Sequence, residues 1–293
     1  MKIAATKDNR ALVIVADRAY DVTGALPFPP ARHGGPWLPL FEEETIDSFL
    51  DSLQLDQFRQ VDLASTPLAA PIARPGKIIA APVNYIDHKI EMSEQKTIAE
   101  YGVFLKANTS VIGEGDTVEI PYHDKRTDQE GELAVIIGRG GRHISREDAL
   151  DHVFGYTASL DMTVRSTEDR STRKSYDTFT PIGPWIVRTD ELPDAGNLAL
   201  QSHVNGELRQ DTNTSELIFD VPQLIAYASS VMTLCPGDVI VTGTPAGVGP
   251  IQDGSPVSVT IEGIGTLSVV ASASNAIAYA DRPGVQVLIE TAK

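Results

Sequence analysis

The chain has 293 residues, 42% of them hydrophobic and 22% charged, which is ordinary for a globular protein and leaves room for a small and a large domain. Its 40 acidic residues outnumber its 24 lysines and arginines, and the net charge of −16 argues against nucleic-acid binding, which requires a basic surface. No apolar run approaches the roughly 18 residues of a membrane span, no signal peptide is recognisable, and one cysteine cannot form an intramolecular disulfide, so we expect a cytoplasmic protein that does not enter the membrane.

The first 70 residues predict a small N-terminal accessory domain. Residues 11–15 are apolar and predict a strand, residues 25–36 predict a loop rich in proline and glycine, and residues 46–63 predict a helix with an acidic start. Residues 65–76 have the composition of a linker. We therefore divide the chain into domains at 1–70 and 71–293.

The second domain predicts many short strands and few helices. A short helix is expected after Ser145, an Asn205-Gly206 hairpin turn of type I′ follows, and the strongest helix covers 219–234 with Asp220 as N-cap. The predicted strands lie at 77–83, 103–106, 117–120, 128–138, 153–160, 184–188, 238–243 and 257–262. Because a regular βαβ alternation is missing, the fold class is a β-rich α+β fold rather than a Rossmann domain.

Three carboxylates carry the most information about chemistry. Side chains two apart on a strand point the same way, so Glu130 and Glu132 are expected side by side, where they repel unless a cation neutralises them. Asp161 ends another predicted strand, and three oxygen ligands without a nearby Cys or His suit Mg²⁺ or Mn²⁺. A solvated edge strand with alternating glutamates is the alternative that these residues alone leave open.

A histidine and a glutamate form a second candidate pair. His88 and Glu91 stand three residues apart just after a predicted strand, a spacing at which their side chains can meet. A carboxylate that orients an imidazole makes it a candidate general base, although an exposed surface ion pair explains the same spacing. The polar residues 92–102 that follow are interpreted either as a lid over a site or as an ordinary surface connection.

Cations and a glycine-rich loop complete the candidate site. Arg165 follows Asp161 by four residues, and Arg170, Arg173 and Lys174 come next, so this acidic chain places positive charge beside its carboxylates. Such a cluster suits an anionic substrate or a developing enolate, whereas the alternative is a set of solvated side chains. The loop 242–249 predicts backbone amides that bind a carboxylate, or a plain turn.

Four sequence blocks occur in a fixed order: Asn84-Tyr85-x-x-His88-x-x-Glu91, Asp128-x-Glu130-x-Glu132-Leu133, Gly155-Tyr156 with Asp161 and Arg165, and Thr242-Gly243-Thr244-Pro245-x-Gly247-Val248-Gly249. Over residues 77–270 the chain resembles the fumarylacetoacetate hydrolase superfamily, in its branch of acylpyruvate hydrolases and 2-hydroxyhepta-2,4-diene-1,7-dioate isomerases. The resemblance implies a mixed β-sandwich roll as C-terminal catalytic domain, a small N-terminal domain and a homodimer.

The resemblance also implies roles for individual residues. Glu130, Glu132 and Asp161 are expected to bind Mg²⁺ or Mn²⁺, and His88 and Glu91 are expected to activate water. Lys174 is expected to act as the catalytic cation. Residues expected to bind the substrate are Arg165, Thr244 and Gln210.

The predicted function follows from these roles. We expect hydrolysis of a C–C bond in a 2,4-dioxo acid, of the acylpyruvate or fumarylpyruvate type, through a metal-stabilised enolate. The alternative is an isomerase or decarboxylase acting on an unsaturated dicarboxylic 2-oxo acid from aromatic catabolism, or an oxaloacetate decarboxylase. A binding protein that kept the fold is disfavoured, because a retired site has no reason to keep a cluster of like charges.

Overall fold

A computed structural model describes residues 1–31 and 33–284 of the chain. The strands are β1 (Lys2–Thr6), β2 (Ala11–Val15), β3 (Arg18–Asp21), β4 (Arg59–Val61), β5 (Leu68–Ala69), β6 (Ile78–Ala80), β7 (Phe104–Lys106), β8 (Val111–Ile112), β9 (Thr117–Glu119), β10 (Thr127–Gln129), β11 (Gly131–Ile137), β12 (Val153–Leu160), β13 (Thr163–Val164), β14 (Thr180–Arg188), β15 (Ala199–Val204), β16 (Glu207–Asn213), β17 (Val239–Val241), β18 (Gly249–Pro250), β19 (Pro256–Ile261) and β20 (Gly265–Ser272). The α-helices are α1 (Leu38–Glu42), α2 (Ile46–Ser52), α3 (Ile86–Glu91), α4 (Ile98–Tyr101), α5 (Arg170–Arg173) and α6 (Val221–Val231).

One large sheet runs through the molecule. Its strands lie in the order β4-β3-β2-β1-β14-β12-β11-β17-β6-β7, with β5 added beside β1 and β8 beside β14. Most neighbours are antiparallel, whereas β17 and β6 run parallel. A second sheet has the order β16-β15-β19-β20-β9, and a third, small sheet has the order β13-β10-β18.

The central strand β11 shows why the two larger sheets form a sandwich. Its side chains alternate between two apolar cores: Leu133 and Val135 pack with residues of the second sheet, whereas Ala134 and Ile136 pack with the N-terminal helices on the opposite face. A strand covered on both faces is apolar throughout, and this explains the unbroken hydrophobic run from residue 133 to 137. The β-rich α+β fold class is confirmed.

The N-terminal strands belong to the same sheet as the rest of the chain. Strand β1 pairs antiparallel with β14 through Lys2 and Val187, and β2, β3 and β4 extend the sheet from there. The N-terminal segment therefore pairs with the last part of β14, at Ile186 and Val187. The division of the chain at residue 70 stays a prediction.

Two helix predictions from the sequence are wrong. The helix expected over 46–63 ends at Ser52, since Ile46 and Leu50 are its buried residues and the chain then turns to add β4 to β3. Pairing with the open edge of the sheet overrides the local helical pattern. After Ser145, whose Oγ accepts the N–H of Asp148, the chain forms a turn and then a short 3₁₀ helix (Ala149–His152) rather than an α-helix.

Two other local predictions are confirmed. Asn205 and Gly206 both have positive φ, 53° and 77°, as a type I′ turn between β15 and β16 requires. Asp220 caps α6: its side chain accepts the N–H of Gln223 at 2.9 Å, and the Gln223 side chain accepts the N–H of Asp220 at 3.2 Å. Over residues 1–31 and 33–284, no helix is long and apolar enough to cross a membrane.

Candidate active site

Three buried carboxylates meet at the ends of two adjacent strands. Glu132 lies in β11, Glu130 occupies the break between β10 and β11, and Asp161 directly follows β12. The N–H of Asp161 donates to the Glu130 carbonyl oxygen at 2.8 Å, which brings the end of β12 beside both glutamates. Carboxylate oxygens of the three residues lie within 4.8 Å of one another. The predicted cluster is therefore formed.

Two buried lysines neutralise part of this negative charge. Lys174, which follows α5, donates from Nζ to Glu130 Oε2 and Asp161 Oδ2, both at 2.6 Å. Lys106, at the end of β7, donates to Asp161 Oδ1 and, at 2.9 Å, to the carbonyl oxygen of Phe179. Buried charges are stable only when they are paired, and each of these lysines is paired with at least one carboxylate.

An arginine holds the cluster from the other side. Arg165 donates from Nη2 to Glu130 Oε1 at 2.8 Å and from Nε to Asp128 Oδ2 at 2.6 Å. Asp128 is fully buried and also accepts Nε of Arg126 at 2.5 Å. Two donor nitrogens of Arg165 are thus taken by protein carboxylates, and its predicted contact with substrate stays a prediction.

The two glutamates have opposite electrostatic surroundings. Burial alone would raise the pKa of Glu130, but the cations of Lys174 and Arg165 outweigh it and hold that pKa well below its ordinary value. Burial and the negative charge of Asp161 raise the pKa of Glu132 well above its ordinary value. The lysines therefore do not compensate the charge of the Glu132 carboxylate. An uncompensated carboxylate of this kind is expected where a further cation binds.

This donor set fits a hard divalent cation. All of its donors are charged oxygens, they are buried, and they converge within one coordination sphere. Residues that would hold the ion are Glu130, Glu132 and Asp161.

Helix α3 carries the His88–Glu91 pair to the same place. His88 is buried and its Nδ1 lies 3.0 Å from Glu91 Oε2. A carboxylate only accepts hydrogen bonds, so Nδ1 is assigned the proton, and in the neutral tautomer Nε2 is the nitrogen that can accept one. Glu91 Oε1 in turn accepts the N–H of Gly247 at 3.0 Å, which fixes the carboxylate that orients the ring.

The loop after β17 closes one wall, and two of its glycines are required. Gly243 has φ 96° and donates its N–H to Glu132 Oε2 at 2.8 Å; a Cβ there would lie 2.7 Å from the Cβ of Asn84. Gly247 has φ 98°, and a Cβ would lie 1.8 Å from the carbonyl oxygen of Arg209. The loop can approach the cluster this closely only because these positions lack side chains.

Thr244 and Gln210 are brought together in that wall. Gln210 Nε2 donates to Thr244 Oγ1 at 2.7 Å and to the Pro245 carbonyl oxygen at 2.9 Å, while its Oε1 accepts the N–H of Gly131 at 2.8 Å. Thr244 lines the cavity described next, whereas Gln210 lies behind it. The amide of Gln210 holds the loop to the start of β11, and its direct contact with substrate stays a prediction.

A cavity of about 300 Å³ opens over the cluster and the dyad. The segment interpreted as a lid, residues 92–102, borders it and contains α4, whose Thr97 and Glu100 form a capping box. Glu94 of this segment accepts a hydrogen bond from Tyr101. The polar and charged side chains that line the cavity include His88, Glu94, Glu130, Glu132, Asp161, Arg165, Arg170, Arg173, Lys174 and Thr244.

Sequence reasoning missed two members of the site. Lys106 lies 55 residues before Asp161, and a lone lysine after an apolar dipeptide carries no local signal of burial. Asp128 has no role of its own in the sequence analysis beyond its place in the block with Glu130 and Glu132, although it is fully buried and anchors Arg165. An aspartate two residues before an i, i+2 glutamate pair at the start of a buried strand is the signal that was available.

Residues 77–270 match the family model described as "Fumarylacetoacetate (FAA) hydrolase C-terminal". The chain belongs to the fumarylacetoacetate hydrolase family. The resemblance seen in the sequence is confirmed.

Three relatives within the family cover nearly the whole chain. A maleylpyruvate hydrolase of Aquipseudomonas alcaligenes is 42% identical over 286 residues, which cover 92% of this chain and 98% of that protein. The crystal structure of maleylpyruvate hydrolase from Sphingobium sp. SYK-6 in complex with manganese(II) ion and pyruvate has a TM-score of 0.82 and 38% identity, covering 93% of this chain and 99% of that one. The structure of a 2-hydroxyhepta-2,4-diene-1,7-dioate isomerase from Mycobacterium marinum has a TM-score of 0.72 and 33% identity, covering 94% and 99%.

The raised pKa of Glu132 predicts a gain in stability when that residue is made neutral. A raised pKa means that Glu132 stabilises the metal-free fold below the ordinary carboxyl pKa of about 4.3, and that this contribution is lost as the pH rises towards the raised value. At pH 7.5 in EDTA, Glu132→Gln should therefore raise the melting temperature by roughly 2–4 °C, the shift that about 1 kcal/mol produces in domains near this size. The gain should shrink as the pH falls towards 4.5.

Calorimetry with and without Mn²⁺ checks this prediction. Mn²⁺ should stabilise the wild type and leave Glu132→Gln nearly unchanged, because an ion stabilises only the state that binds it. Glu119→Gln, on an exposed position of β9, is the matched control and should behave as the wild type does. A lower melting temperature for Glu132→Gln in EDTA would contradict the electrostatic account.

Proposed function

We propose that this chain is a divalent-metal-dependent hydrolase that cleaves a C–C bond in 2,4-dioxo acids of the acylpyruvate class. The observation that carries the proposal is a single cavity onto which both the Glu130–Glu132–Asp161 cluster and His88 face. A water-activating base beside a cation site is the arrangement that hydrolysis needs and that simple binding does not. The maleylpyruvate hydrolases among the relatives support the same reaction class.

Either Mn²⁺ or Mg²⁺ suits the three carboxylates, and the manganese named in the related structure supports the first. When bound there, the ion would supply Lewis-acid stabilisation of negative charge on the carboxylate and 2-oxo oxygens of the substrate.

The dyad performs the proton transfer. With Nδ1–H held by Glu91, His88 accepts a proton at Nε2 from a water molecule as its oxygen attacks the 4-carbonyl carbon. The bond between C3 and C4 then breaks, its electrons leave with the pyruvate fragment as an enolate, and C3 takes up the proton that His88 accepted. Water and substrate thereby become pyruvate and a carboxylic acid.

The buried cations stabilise the charge that moves during this step. Lys174 Nζ is fixed between Glu130 and Asp161 and lines the cavity, so its positive charge is already oriented when the enolate forms. Lys106 is held by Asp161 and the Phe179 carbonyl and keeps that carboxylate in place.

A second candidate is isomerisation of an unsaturated dicarboxylic 2-oxo acid, as the name of the Mycobacterium marinum relative suggests. It uses the same cation site but a different path of proton transfer, and it needs no attacking water. We further propose that the protein acts as a homodimer in the cytoplasm, which family membership and the single cysteine favour.

Ultraviolet spectroscopy tests the main proposal. Purified protein, stripped with EDTA and then supplied with Mn²⁺ or Mg²⁺, is mixed with acetylpyruvate, fumarylpyruvate and oxaloacetate. Metal-dependent loss of the diketo absorbance with stoichiometric release of pyruvate is the expected result. Rearrangement without pyruvate release would favour the isomerase, and equal activity in EDTA would refute the metal requirement.

A further inference from the structure

Two arginines of α5 line the same cavity but differ in their partners. Arg170 is engaged with the lid: its Nη2 lies 3.7 Å from Glu94 Oε2, and its guanidinium lies 4.2 Å from the centre of the Tyr101 ring. These contacts tie α5 to residues 92–102 across the cavity. The charge of Arg170 is thus already partly compensated by the protein.

Arg173 has no such partner. It is half-buried and lines the cavity, yet within residues 1–31 and 33–284 its guanidinium makes neither an ion pair nor a side-chain hydrogen bond. Burial and the neighbouring charges of Arg165 and Arg170 lower its pKa, and together they outweigh the opposite effect of the cluster carboxylates nearby. A guanidinium stays charged in such a place, so it stabilises whatever anion enters the cavity.

The nearby carboxylates do not meet this need. Glu130 is bonded to Lys174 and Arg165, and Asp161 is bonded to Lys174 and Lys106. In a chain with 40 acidic residues, a half-buried arginine that lines the cavity, yet pairs with no carboxylate of the described residues, leaves its bidentate donors to a ligand.

We propose that Arg173 binds a second carboxylate at the distal end of the substrate, so that the protein prefers acylpyruvates whose acyl group ends in a carboxylate. This inference rests on the proposed hydrolase function and adds the substrate class. Arg173 directly precedes Lys174, whose Nζ contacts the cluster, so one elongated dianion can reach both the cluster and Arg173 within the cavity. Arg165, which is expected from the sequence to bind substrate, forms ion pairs with Asp128 and Glu130.

A pair of substrates separates this contact from a general effect of charge. Fumarylpyruvate carries the distal carboxylate at the end of a carboxyvinyl group, whereas acetylpyruvate has a methyl group in place of that whole group and the same reacting atoms. Steady-state kcat/KM for both is measured with Mn²⁺ for the wild type, Arg173→Met, Arg173→Lys and the control Arg142→Met. Arg142 is exposed and lies away from the cavity, so its replacement removes one positive charge without touching the site.

In the expected result, Arg173→Met lowers kcat/KM for fumarylpyruvate by roughly 10- to 100-fold, mainly through KM, as loss of a charged hydrogen bond does. Acetylpyruvate should change by less than about threefold, which also shows that the variant is folded. Arg173→Lys should keep part of the preference, since lysine retains the charge but not the bidentate geometry. Arg142→Met should match the wild type for both substrates.

Each other outcome overturns a definite claim. If Arg173→Met lowers both substrates equally, or leaves their ratio unchanged, the distal contact is refuted while the hydrolase function stands. If the wild type releases pyruvate from neither substrate, the proposed function itself fails, and the assignment of Arg173 fails with it.

Discussion

Replacing Glu130 with alanine is expected to abolish measurable binding of Mn²⁺ and to lower kcat/KM for acylpyruvates by at least about a thousandfold, the scale of losing a major electrostatic element of a site. Glu130 offers one of three converging carboxylates and is also the shared partner of Lys174 and Arg165. Its removal therefore deletes a ligand and leaves two cations competing with the metal for the same space. Titration calorimetry measures the binding and pyruvate release measures the turnover.

A conservative variant separates these two effects. Glu130→Gln keeps the shape, but its single oxygen can accept from only one of the two cations that Glu130 binds, Lys174 or Arg165. It should therefore lose less stability than Glu130→Ala and still bind Mn²⁺ poorly. Glu119→Gln is the control for loss of one negative charge. Mn²⁺ bound by Glu130→Ala as tightly as by the wild type would place the metal elsewhere.

Replacing His88 with alanine is expected to separate metal binding from hydrolysis. His88 lines the same cavity as the cluster, and its ring is hydrogen-bonded to Glu91 rather than to one of the three cluster carboxylates. Mn²⁺ affinity should stay within about threefold, whereas hydrolysis should fall by roughly 10²- to 10⁴-fold, the range of general-base catalysis. Glu91→Gln should show a smaller loss of about 10- to 100-fold, because it still accepts from Nδ1 but no longer stabilises the charged ring.

The same variant decides between the two candidate functions. If water activation is the task of His88, any isomerisation or enol–keto exchange of a 2-oxo acid should survive in His88→Ala far better than pyruvate release does. His203→Ala, a half-exposed position on β15 outside the cavity, should behave as the wild type in both assays. Equal loss of both reactions would mean that His88 moves the proton in each of them and that water attack is not its special task.

Both variants depend on a cluster that local sequence rules could foresee. The glutamates at 130 and 132 and the pair at 88 and 91 follow spacings of two on a strand and three on a helix, which place side chains together whatever the rest of the fold does. The Asn205-Gly206 turn and the Asp220 cap are of the same kind, since each depends on the conformational preferences of a few adjacent residues.

Features that depend on distant pairing could not be read in this way. Residues 46–63 carry a helical pattern, but the chain leaves the helix at Ser52 because the open edge of β3 offers backbone hydrogen bonds to β4. Likewise, the apolar pattern of β1 does not reveal that its partner is β14. Lys2 pairs with Val187, 185 residues further along the chain, and only the folded sheet sets that register.

Within the site, too, some features depend on local sequence spacing and others on the folded arrangement of distant residues. The sequence by itself determined the family, the carboxylates that we propose as the metal site and the proposed His88–Glu91 dyad, because their spacing and order are written along the chain. Only the tertiary structure decided which cations pair with the carboxylates. It buried Lys106 against Asp161 and paired Arg165 with Asp128 and Glu130. It left Arg173 lining the cavity without an ion pair in the part of the chain that the structure describes. Charges of one sign look alike in a sequence, and their energies separate only when folding sets burial and distance to the opposite charge.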